Sequence, residues 1–485
     1  MSWKPLRVLL VLTAVLPLLS CSGLKGGSSG GGGNANVTIS LYDTPPTGVN
    51  LLSFTLPISS ISMVSSSGNT ALTLVNTSVE ATRLQTDSVL LVDAASVPAG
   101  TTFTSLSVTL GATSATANVF INTSASTITW TTGTGGTCGS GNVCSLPAGQ
   151  QTTVSVPINL TLSKNVNQWI GLNLNLNDAI TSAGGLAVDF TQTGVLTAVT
   201  TPRSGLPSTA ADTIEDFTGI VTVYTAGSSI TVQNGISGQK LTATLNSSTI
   251  FDNAPTGADY PGCGTKTPQT CIQVGSTVSL DAILAASGSF TATEVDVLDA
   301  TNVPEVEGII YPTSNGTSCP AGTCFAMLVA DKIPSGNTVL GATSVSFGSP
   351  IYLNVNGANL FAIDTKTLSP APTAGFTGIG DLLTGQQVRV QVTNVTSAAG
   401  IISANAKNML LRFSRLTGTT SNVGPTSFTF APPPYITAFP VPVADTYSST
   451  VFDGATSVPT GTVSIRALYL DNSQLTFAVT KVRVP

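Results

Sequence analysis

The sequence predicts an all-β protein, an N-terminal β-sandwich followed by three small barrel-like β units. The first observation is a hydrophobic period of two beyond residue 36, clearest where Leu172, Leu174 and Leu176 alternate with asparagines. The second is composition, because charged residues are only 8% of the 485, against about 25% in an ordinary soluble domain. Thr, Ser and Asn therefore cover the wet strand faces. The third is a turn-and-strand pattern that occurs three times in the C-terminal part.

Residues 1–20 have the pattern of an export signal. Lys4 and Arg7 precede an apolar stretch of 12 residues, Val8–Leu19, which is shorter than the roughly 20 that a membrane-spanning helix needs. The stretch ends in Leu18-Leu19-Ser20-Cys21, which resembles the lipobox of bacterial lipoproteins. The resemblance implies cleavage before Cys21 and attachment of lipid to its thiol. The alternative is an ordinary signal peptide or a short buried helix.

Residues 21–36 form a Gly/Ser-rich run that we expect to tether the folded part to the membrane. Ser22, directly after the lipid-bearing cysteine, resembles the address of outer-membrane rather than inner-membrane lipoproteins. The sequence therefore predicts a lipid-anchored protein of the cell envelope, on the outer membrane, whose contact with the membrane is made through the lipid.

Residues 37–200 are predicted to form the sandwich. They resemble an uncharacterised family of bacterial lipoprotein domains in the opening Leu41-Tyr42-Asp43-Thr44-Pro45-Pro46 and in the turn Val97-Pro98-Ala99-Gly100. The resemblance implies a β-sandwich on the cell envelope, and it implies no activity. The Pro/Ser/Ala-rich segment 201–214 is predicted to be a linker.

The rest of the chain is predicted to contain three diverged β units, at 215–303, 304–412 and 413–485. Thr249–Asp252 recurs as Thr450–Asp453, with a weaker copy at Asn359–Ala362, and each unit opens on a glycine: Gly219, Gly308 and Gly418. At roughly 70–110 residues, each unit is long enough for a small closed barrel. Residues 215–303 resemble an uncharacterised envelope repeat family, and that resemblance implies barrels of the oligonucleotide/oligosaccharide-binding type.

The seven cysteines agree with export. Besides Cys21, six cysteines fall in three close pairs that bracket loop-like runs. We predict three disulfides: Cys138–Cys144, Cys263–Cys271 and Cys319–Cys324. Metal binding is the alternative, but none of the spacings is C-x₂-C and there is no histidine to help.

The absence of histidine limits the chemistry of the chain. It excludes Ser-His-Asp and Cys-His nucleophile systems and His-ligated metals. No catalytic residue and no cofactor is predicted. The net charge of −6, without a basic patch, predicts no nucleic-acid partner.

Four aromatic residues are candidates for ligand binding, because sugars stack on flat apolar rings: Trp130, Trp169, Tyr435 and Phe439. The alternative for each ring is burial in a β core.

A run of carboxylates, Glu294 to Glu307, contains no basic residue. Glu294, Asp296 and Asp299 are the candidate ligands of a Ca²⁺ ion, which prefers several oxygens at once. The favoured interpretation is a solvated strand face at the border of two units.

These observations together predict a non-catalytic binding or scaffolding module with a glycan or an envelope protein as partner. One alternative is a purely structural surface spacer or adhesin stalk. Another is a His-free hydrolase that uses paired carboxylates.

Overall fold

The computed structural model describes most of the chain from Gly33 onward, and strands dominate it. The all-β prediction is confirmed, since the two α-helices among these residues are single turns. None of the helices in this part of the chain is long and apolar enough to cross a membrane. The described residues are 33–46, 51–111, 118–121, 127–130, 135–138, 143–145, 151–181, 186–234, 238–252, 267–299, 305–311, 323–332, 350–355, 360–364, 368–370, 372, 375–398, 401–433, 436, 442–470 and 476–485.

The N-terminal sandwich contains fifteen of the described strands. They are β1 Asn34–Thr44, β2 Leu51–Ser65, β3 Gly68–Leu72, β4 Ser78–Glu80, β5 Val89–Pro98, β6 Thr102–Gly111, β7 Asn118–Ile121, β8 Thr127–Trp130, β9 Gly135–Cys138, β10 Val143–Ser145, β11 Gln151–Thr161, β12 Asn167–Asn175, β13 Ile180–Thr181, β14 Leu186–Val188 and β15 Leu196–Val199, with a 3₁₀ turn at Arg83–Gln85 and helix α1 at Leu176–Ala179.

The strands of the sandwich form two sheets, with strand orders β15-β12-β1-β5 and β11-β6-β2-β7-β10-β9-β8-β14-β13, and with β3 and β4 paired to β2. Both sheets contribute to one apolar core, for example through Ile39 and Ile170 on one side and Phe54 and Leu106 on the other.

Three further sheets follow, which we call units 1, 2 and 3. Unit 1 begins inside the segment predicted as a linker, because its first strand starts at Ala210. Its elements are β16 Ala210–Thr225, β17 Ser229–Asn234, β18 Lys240–Thr244, β19 Ile250–Asp252, α2 Pro268–Cys271, β20 Thr277–Ala285 and β21 Phe290–Asp299. Unit 2 has β22 Glu305–Tyr311, β23 Cys324–Lys332, β24 Pro350–Asn354, β25 Leu360–Ile363, a 3₁₀ turn at Ile379–Asp381, β26 Gln387–Ala398 and β27 Ile401–Arg412. Unit 3 has β28 Ser414–Ser421, β29 Ser427–Ala431, β30 Val443–Asp453, β31 Gly461–Leu470 and β32 Thr476–Arg483.

The three units share one connectivity. In unit 3 the closed barrel runs β28-β29-β30-β32-β31, with β30 and β32 parallel. Units 1 and 2 repeat this order, and the parallel pairs β18–β21 and β24–β27 close them. This is the Greek-key order of the oligonucleotide/oligosaccharide-binding barrel. The fold alone names no ligand, because such barrels host many functions.

The glycine that opens each unit has a steric reason. A Cβ at Gly219, Gly308 or Gly418 would lie 2.2, 2.0 or 2.1 Å from a carbonyl oxygen of the neighbouring second strand. The first two strands of each barrel therefore approach more closely than an alanine would permit. The recurring sequence motif thus marks the same close contact three times.

The units pack on one another and on the sandwich. Trp169 and Leu90 of the sandwich belong to the same apolar cluster as the core of unit 1. Leu468 and Leu470 of unit 3 join the core of unit 2, and Leu328 of unit 2 joins that of unit 3. The apolar contacts therefore run across unit borders.

Candidate functional site

The arginines of this chain lie where the units meet. Apart from Arg7, which lies outside the described residues, the sequence has seven arginines. Six of the seven form an ion pair with an acidic side chain from another part of the chain: Arg83, Arg203, Arg389, Arg412, Arg415 and Arg466. The seventh, Arg483, donates to the backbone carbonyl of Asp87 in the sandwich. We call these arginines, Lys481 and their partners the central junction. Arginine suits such a place because its guanidinium offers five donors in a fixed plane.

The first part of the central junction surrounds Asp453, at the end of β30. Its carboxylate accepts from Nε of Arg203 at 2.7 Å and from Nε of Arg483 at 2.8 Å. Arg203 comes from the segment after the sandwich and also bonds Asp212 of unit 1 at 2.7 Å. Arg483 donates to Oγ of Ser88 in the sandwich at 3.1 Å. One buried carboxylate therefore holds the sandwich, the following segment, unit 1 and unit 3 together.

The second part is built around Arg415, on β28. Its Nη2 lies 2.6 Å from Asp216 of unit 1, and its Nε donates to Asp87 of the sandwich at 2.6 Å. Nη1 donates to the side-chain oxygen of Gln387 in unit 2. Arg83 adds a second cation to Asp216 at 2.5 Å. All four folded parts of the chain thus meet at this guanidinium.

The third part joins units 1 and 2 and includes the carboxylates of the acidic run. Nη2 of Arg412 donates to Asp296 at 2.9 Å, and Arg389 lies 3.5 Å from Glu307. Asp296 is 5% exposed and Glu307 8%. The prediction of a solvated strand face is therefore wrong, because arginines that are distant in sequence reach these carboxylates only in the folded chain.

Units 1 and 3 carry opposite charges at equivalent positions. In each unit the first strand and the last two strands present a row of three neighbouring side chains on the outside of the barrel. The row is Asp216, Asp281 and Glu294 in unit 1, and Arg415, Arg466 and Lys481 in unit 3. In unit 2 the same row is Glu305, Gln391 and Asn408.

The acidic and basic rows face each other. Beside the Asp216–Arg415 contact, Arg466 lies 3.6 Å from Asp281, and Nζ of Lys481 lies 2.7 Å from Glu215, the neighbour of Asp216. Two copies of one barrel are thus joined through the same surface, with the sign of the charge reversed in one copy.

Burial and these cations set the pKa values of the carboxyls. Burial acts to raise the pKa of Asp453, but Arg483, Lys481 and Arg203 outweigh it and hold this pKa well below its usual range. Asp216 behaves alike, since Arg83 and Arg415 lower its pKa against the effect of burial. Glu215 is the exception. Burial raises its pKa to about 7, and the nearby Lys481 offsets this only in part.

A cleft of about 630 Å³ opens between units 1 and 3, above the two rows. Its size falls in the range of about 300–1,000 Å³ that is typical of small-molecule sites. Glu215, Asp281, Arg466 and Lys481 all line it, and Leu206 and Pro207 of the segment between sandwich and unit 1 form part of its wall.

The cleft combines hydroxyl and apolar groups. Its hydroxyls come from both units: Thr213, Thr293, Ser449, Thr450, Thr456 and Thr480. Ile250 and Ile283 of unit 1 and Val451 and Phe452 of unit 3 supply apolar surface. Val451 is 41% exposed. This arrangement can bind a ligand that has both apolar faces and hydrogen-bonding groups.

Gly205 holds the wall of the cleft in place. It has φ +85°, and a Cβ there would lie 2.3 Å from the carbonyl oxygen of Phe452. The neighbouring carbonyl of Ser204 accepts a hydrogen bond from Gly454 at 2.7 Å. The segment therefore runs directly against the end of β30.

The surface that barrels of this type usually offer to a ligand, on the second and third strands, is changed here. In unit 2 that face is buried, since Ala326 and Leu328 of β23 pack in the apolar cluster of unit 3. In unit 1 the described residues of β17 and β18 include no aromatic ring on which a base or sugar could stack. The cleft between units is therefore the better candidate site.

Of the four predicted aromatic residues, Trp169 is placed in full. It is 4% exposed and its Nε1 donates to Oγ of Ser40 at 2.9 Å, beside the core of unit 1. Its ring is thus not available to a ligand. Tyr435, Phe439 and the side chain of Trp130 lie outside the described residues.

The predicted cysteine and metal sites are described in part. Cys138 and Cys144 lie opposite each other on the paired strands β9 and β10. Cys271 and Cys324 each belong to a disulfide. Their predicted partners, Cys263 and Cys319, and the predicted lipidation site Cys21 lie outside the described residues. Among the described residues no group of three or more Cys, Asp or Glu side chains has the arrangement of a metal site. The side chain of Asp299 is outside that set.

Sequence reasoning missed the central junction, although the repeat pattern contains a signal for it. Asp216, Glu305 and Arg415 each stand three residues before the opening glycine of their unit. Alignment of the units on Gly219, Gly308 and Gly418 thus places an acid, an acid and a base at one position.

Comparisons with known proteins add little. No family model matches the chain, and no curated protein matches it. Among solved structures, one of Drosophila Unr CSD456 is similar over 55% of this chain and 95% of that chain, at 9% identity and a TM-score of 0.14.

Proposed function

We propose that this protein is a non-catalytic binding module of the cell envelope, anchored by lipid at Cys21, and that the cleft between units 1 and 3 is its binding site. The observation that carries the proposal is the cleft of about 630 Å³ above the two charged rows. A glycan or an envelope protein is the partner.

The central junction supports this proposal because a rigid site binds with less loss of conformational entropy. The cleft walls belong to two units and a connecting segment, and a hinge between them would leave the site poorly defined. Asp453 fixes the connecting segment to unit 3 through Arg203, and Lys481 fixes unit 3 to unit 1 through Glu215. The charges are thus used inside the molecule to hold the site open in one shape.

The pattern of the leader supports the location. Cleavage before Cys21, the Gly/Ser tether and the locally paired cysteines all agree with export to an oxidising compartment. Replacement of Cys21 by Ser should release the protein from the membrane fraction and remove the lipid mass from its N-terminus. A variant that still fractionates with membranes would contradict the anchor.

The binding function is tested with the full-length chain and an array of neutral and charged glycans and short peptides. Ala455 lines the cleft, and Ala455→Trp would fill it. The control is Val223→Trp, which adds the same ring to unit 1 at an exposed position, 51% accessible, outside the cleft. We expect binding by the parent chain and by the control, and at least a tenfold loss in the filled variant.

If the parent chain bound nothing on the array, or if Ala455→Trp and Val223→Trp bound equally well, the proposal would be overturned in favour of a structural spacer. Hydrolysis of a bound glycan that survives repurification would overturn the non-catalytic assignment.

A further inference from the structure

We infer that one end of the folded chain, where the polypeptide enters the sandwich, rests on the lipid headgroups of the membrane. This inference rests on the proposed anchor at Cys21, and it concerns a surface outside the cleft. Three features support it: the short distance between lipid and fold, the loops around the point of entry, and the charge of those loops.

The proposed lipid lies close to the fold in sequence. Gly33 is the twelfth residue after Cys21, and its carbonyl accepts a hydrogen bond from the backbone of Ala99 at 2.9 Å. Twelve residues span at most about 43 Å when fully extended. Such a short connection keeps the point of entry at a high effective concentration beside the headgroups, so weak contacts suffice.

Three loops of the sandwich surround the point of entry. The turn that contains Ala99 also contains Gly100, which donates to the carbonyl of Leu162 at 2.8 Å. Asn165 donates to the carbonyl of Asn34 at 2.9 Å, so the loop between β11 and β12 lies beside the first strand. The hairpin between β2 and β3 is a third neighbour, because the end of β2 pairs with the start of β6.

Three loops of unit 1 extend the same end of the molecule. Asn167, the first residue of β12, donates to the carbonyl of Ser287 in the hairpin between β20 and β21. Strand β18 ends at Thr244 and lies parallel to the start of β21, next to that hairpin. Leu245 then donates to the carbonyl of Ser228, in the hairpin between β16 and β17, at 2.7 Å.

The charge of these six loops differs from that of the whole chain. Lys164 is the single charged residue in them, although the chain has 23 acidic and 17 basic residues. Anionic headgroups attract a lysine at the surface and repel carboxylates. This end therefore suits an anionic lipid surface better than the acidic remainder of the chain does. We call the six loops the entry loops: 65–68, 98–101, 162–166, 225–229, 245–249 and 286–289.

The composition of the entry loops predicts contact with the headgroups and no deep insertion. Ser, Thr, Asn, Ala and Gly make up most of them, and their hydroxyls and amides can bond to headgroup oxygens. Val166, 43% exposed, adds one apolar side chain. Contacts of this kind are weak alone, so the test uses the chain with its lipid in place.

The orientation is tested with the lipidated full-length chain in vesicles of phosphatidylethanolamine and phosphatidylglycerol that carry a spin label on the headgroup. Val166→Trp places a fluorescent ring in the entry loops. Val274→Trp is the control, because Val274 is 66% exposed in the turn before β20, whereas the loop 286–289 follows the end of that strand. The 9 residues of β20 separate Val274 from that loop by roughly 30 Å.

We expect the spin label to quench the added fluorescence about threefold or more strongly in Val166→Trp than in Val274→Trp, because only the first ring lies beside the headgroups. The signal of the parent chain is subtracted from both. Thermal unfolding of each variant checks that the fold is retained.

Lys164→Glu, added to Val166→Trp, tests the charge. We expect quenching to fall about twofold, because a carboxylate at this place is repelled by phosphatidylglycerol. Lys240→Glu is the control, since Lys240 is an exposed lysine of β18 outside the entry loops, and it should leave quenching unchanged. Equal effects of the two lysine variants would overturn the pairing of Lys164 with anionic headgroups.

The outcomes separate this inference from the proposed function. Equal quenching of Val166→Trp and Val274→Trp, in a chain that stays with the vesicles, would overturn the orientation and retain the anchor. A chain that carries no lipid at Cys21 would overturn the anchor and the orientation together. The cleft is tested independently by the array.

Discussion

Units 1 and 3 are two copies of one barrel that carry opposite charges at the surface where they touch. Equivalent positions carry Asp216, Asp281 and Glu294 in one copy and Arg415, Arg466 and Lys481 in the other. In unit 2 the row contains two uncharged amides. The reversed charges let the repeated surface pair through Asp216–Arg415 and Asp281–Arg466, whereas like charges would repel at the same spacing.

The contrast between units 1 and 3 also explains how so few charged residues can specify which parts of this protein pack together. Exposed ion pairs contribute little to stability, about 0–1 kcal/mol. A buried pair is weak evidence for stability, but the loss of one partner costs much more, because the other charge stays buried. The chain places its arginines where each specifies which units meet, and it covers its outer sheet faces with Thr and Ser.

Asp453→Asn should have the largest effect, because it leaves Arg203 and Arg483 buried without their shared carboxylate. We expect a loss of about 3–5 kcal/mol in the free energy of unfolding, measured by urea denaturation. Asp445→Asn is the control on the same strand, since Asp445 is half-buried, and it should cost about 0.5 kcal/mol or less. Equal effects of the two variants would refute the role of Asp453.

A pair of double-mutant cycles compares the two ends of the facing rows. Asp216→Asn with Arg415→Gln probes a buried contact at 2.6 Å, and Asp281→Asn with Arg466→Gln probes a looser one at 3.6 Å. We expect coupling energies of about 2 kcal/mol and about 0.5 kcal/mol. The reverse order would show that the rows do not act through these contacts.

Gly205→Ala tests the segment that links the sandwich to the two units. Its Cβ would collide with the carbonyl of Phe452, at 2.3 Å, in addition to the strain of φ +85°. Gly227→Ala has φ +68° but open space around its Cβ. We expect the first to lower the free energy of unfolding by about 2 kcal/mol or more and the second by about 1 kcal/mol. If calorimetric melting gave equal losses, the contact with β30 would be unimportant.

Glu215→Gln should have the smallest effect, because the carboxylate of Asp453 still lies 3.8 Å from Nζ of Lys481, and the variant reveals the pH dependence of the facing rows. Burial raises the pKa of Glu215 from 4.5 to about 7 in the folded chain. The folded state therefore holds the proton of Glu215 more tightly than the unfolded state does. The stabilisation that this protonated carboxyl gives the fold is full below about pH 4.5 and is lost as pH rises through 7. The difference in stability between the parent and Glu215→Gln should decrease over this window. A difference that grows with pH would show that the pairing with Lys481 controls the carboxyl.

Much of the fold is predictable from local patterns in the sequence. The alternation of Leu172, Leu174 and Leu176 indicates a strand with one buried face, and these residues lie in the sandwich core. The glycine that opens each unit is visible as a repeat, and its cause is a close approach of two neighbouring strands. Such features depend on residues close in sequence, so a pattern suffices to find them.

The candidate site depends on contacts that no local pattern contains. Arg203 and Asp453 are 250 residues apart, and Arg415 and Asp87 are 328 apart. The sequence suggests Trp169 as a ring on which a sugar could stack, yet the packing of unit 1 on the sandwich buries it. In the sequence, a charged residue with apolar neighbours looks the same whether its side chain faces water or a partner from another unit.

The sequence by itself determined the all-β architecture, because period-two alternation and turn residues act over a few residues. Only the tertiary structure decided what the scarce charges do, because the free energy of a buried charge depends on the partner that folding brings beside it. The same 17 basic and 23 acidic residues would otherwise be an ordinary solvated set. Folding turns each of the seven arginines from Arg83 onward into a contact between different parts of the chain, and it leaves a cleft where the acidic and basic rows meet.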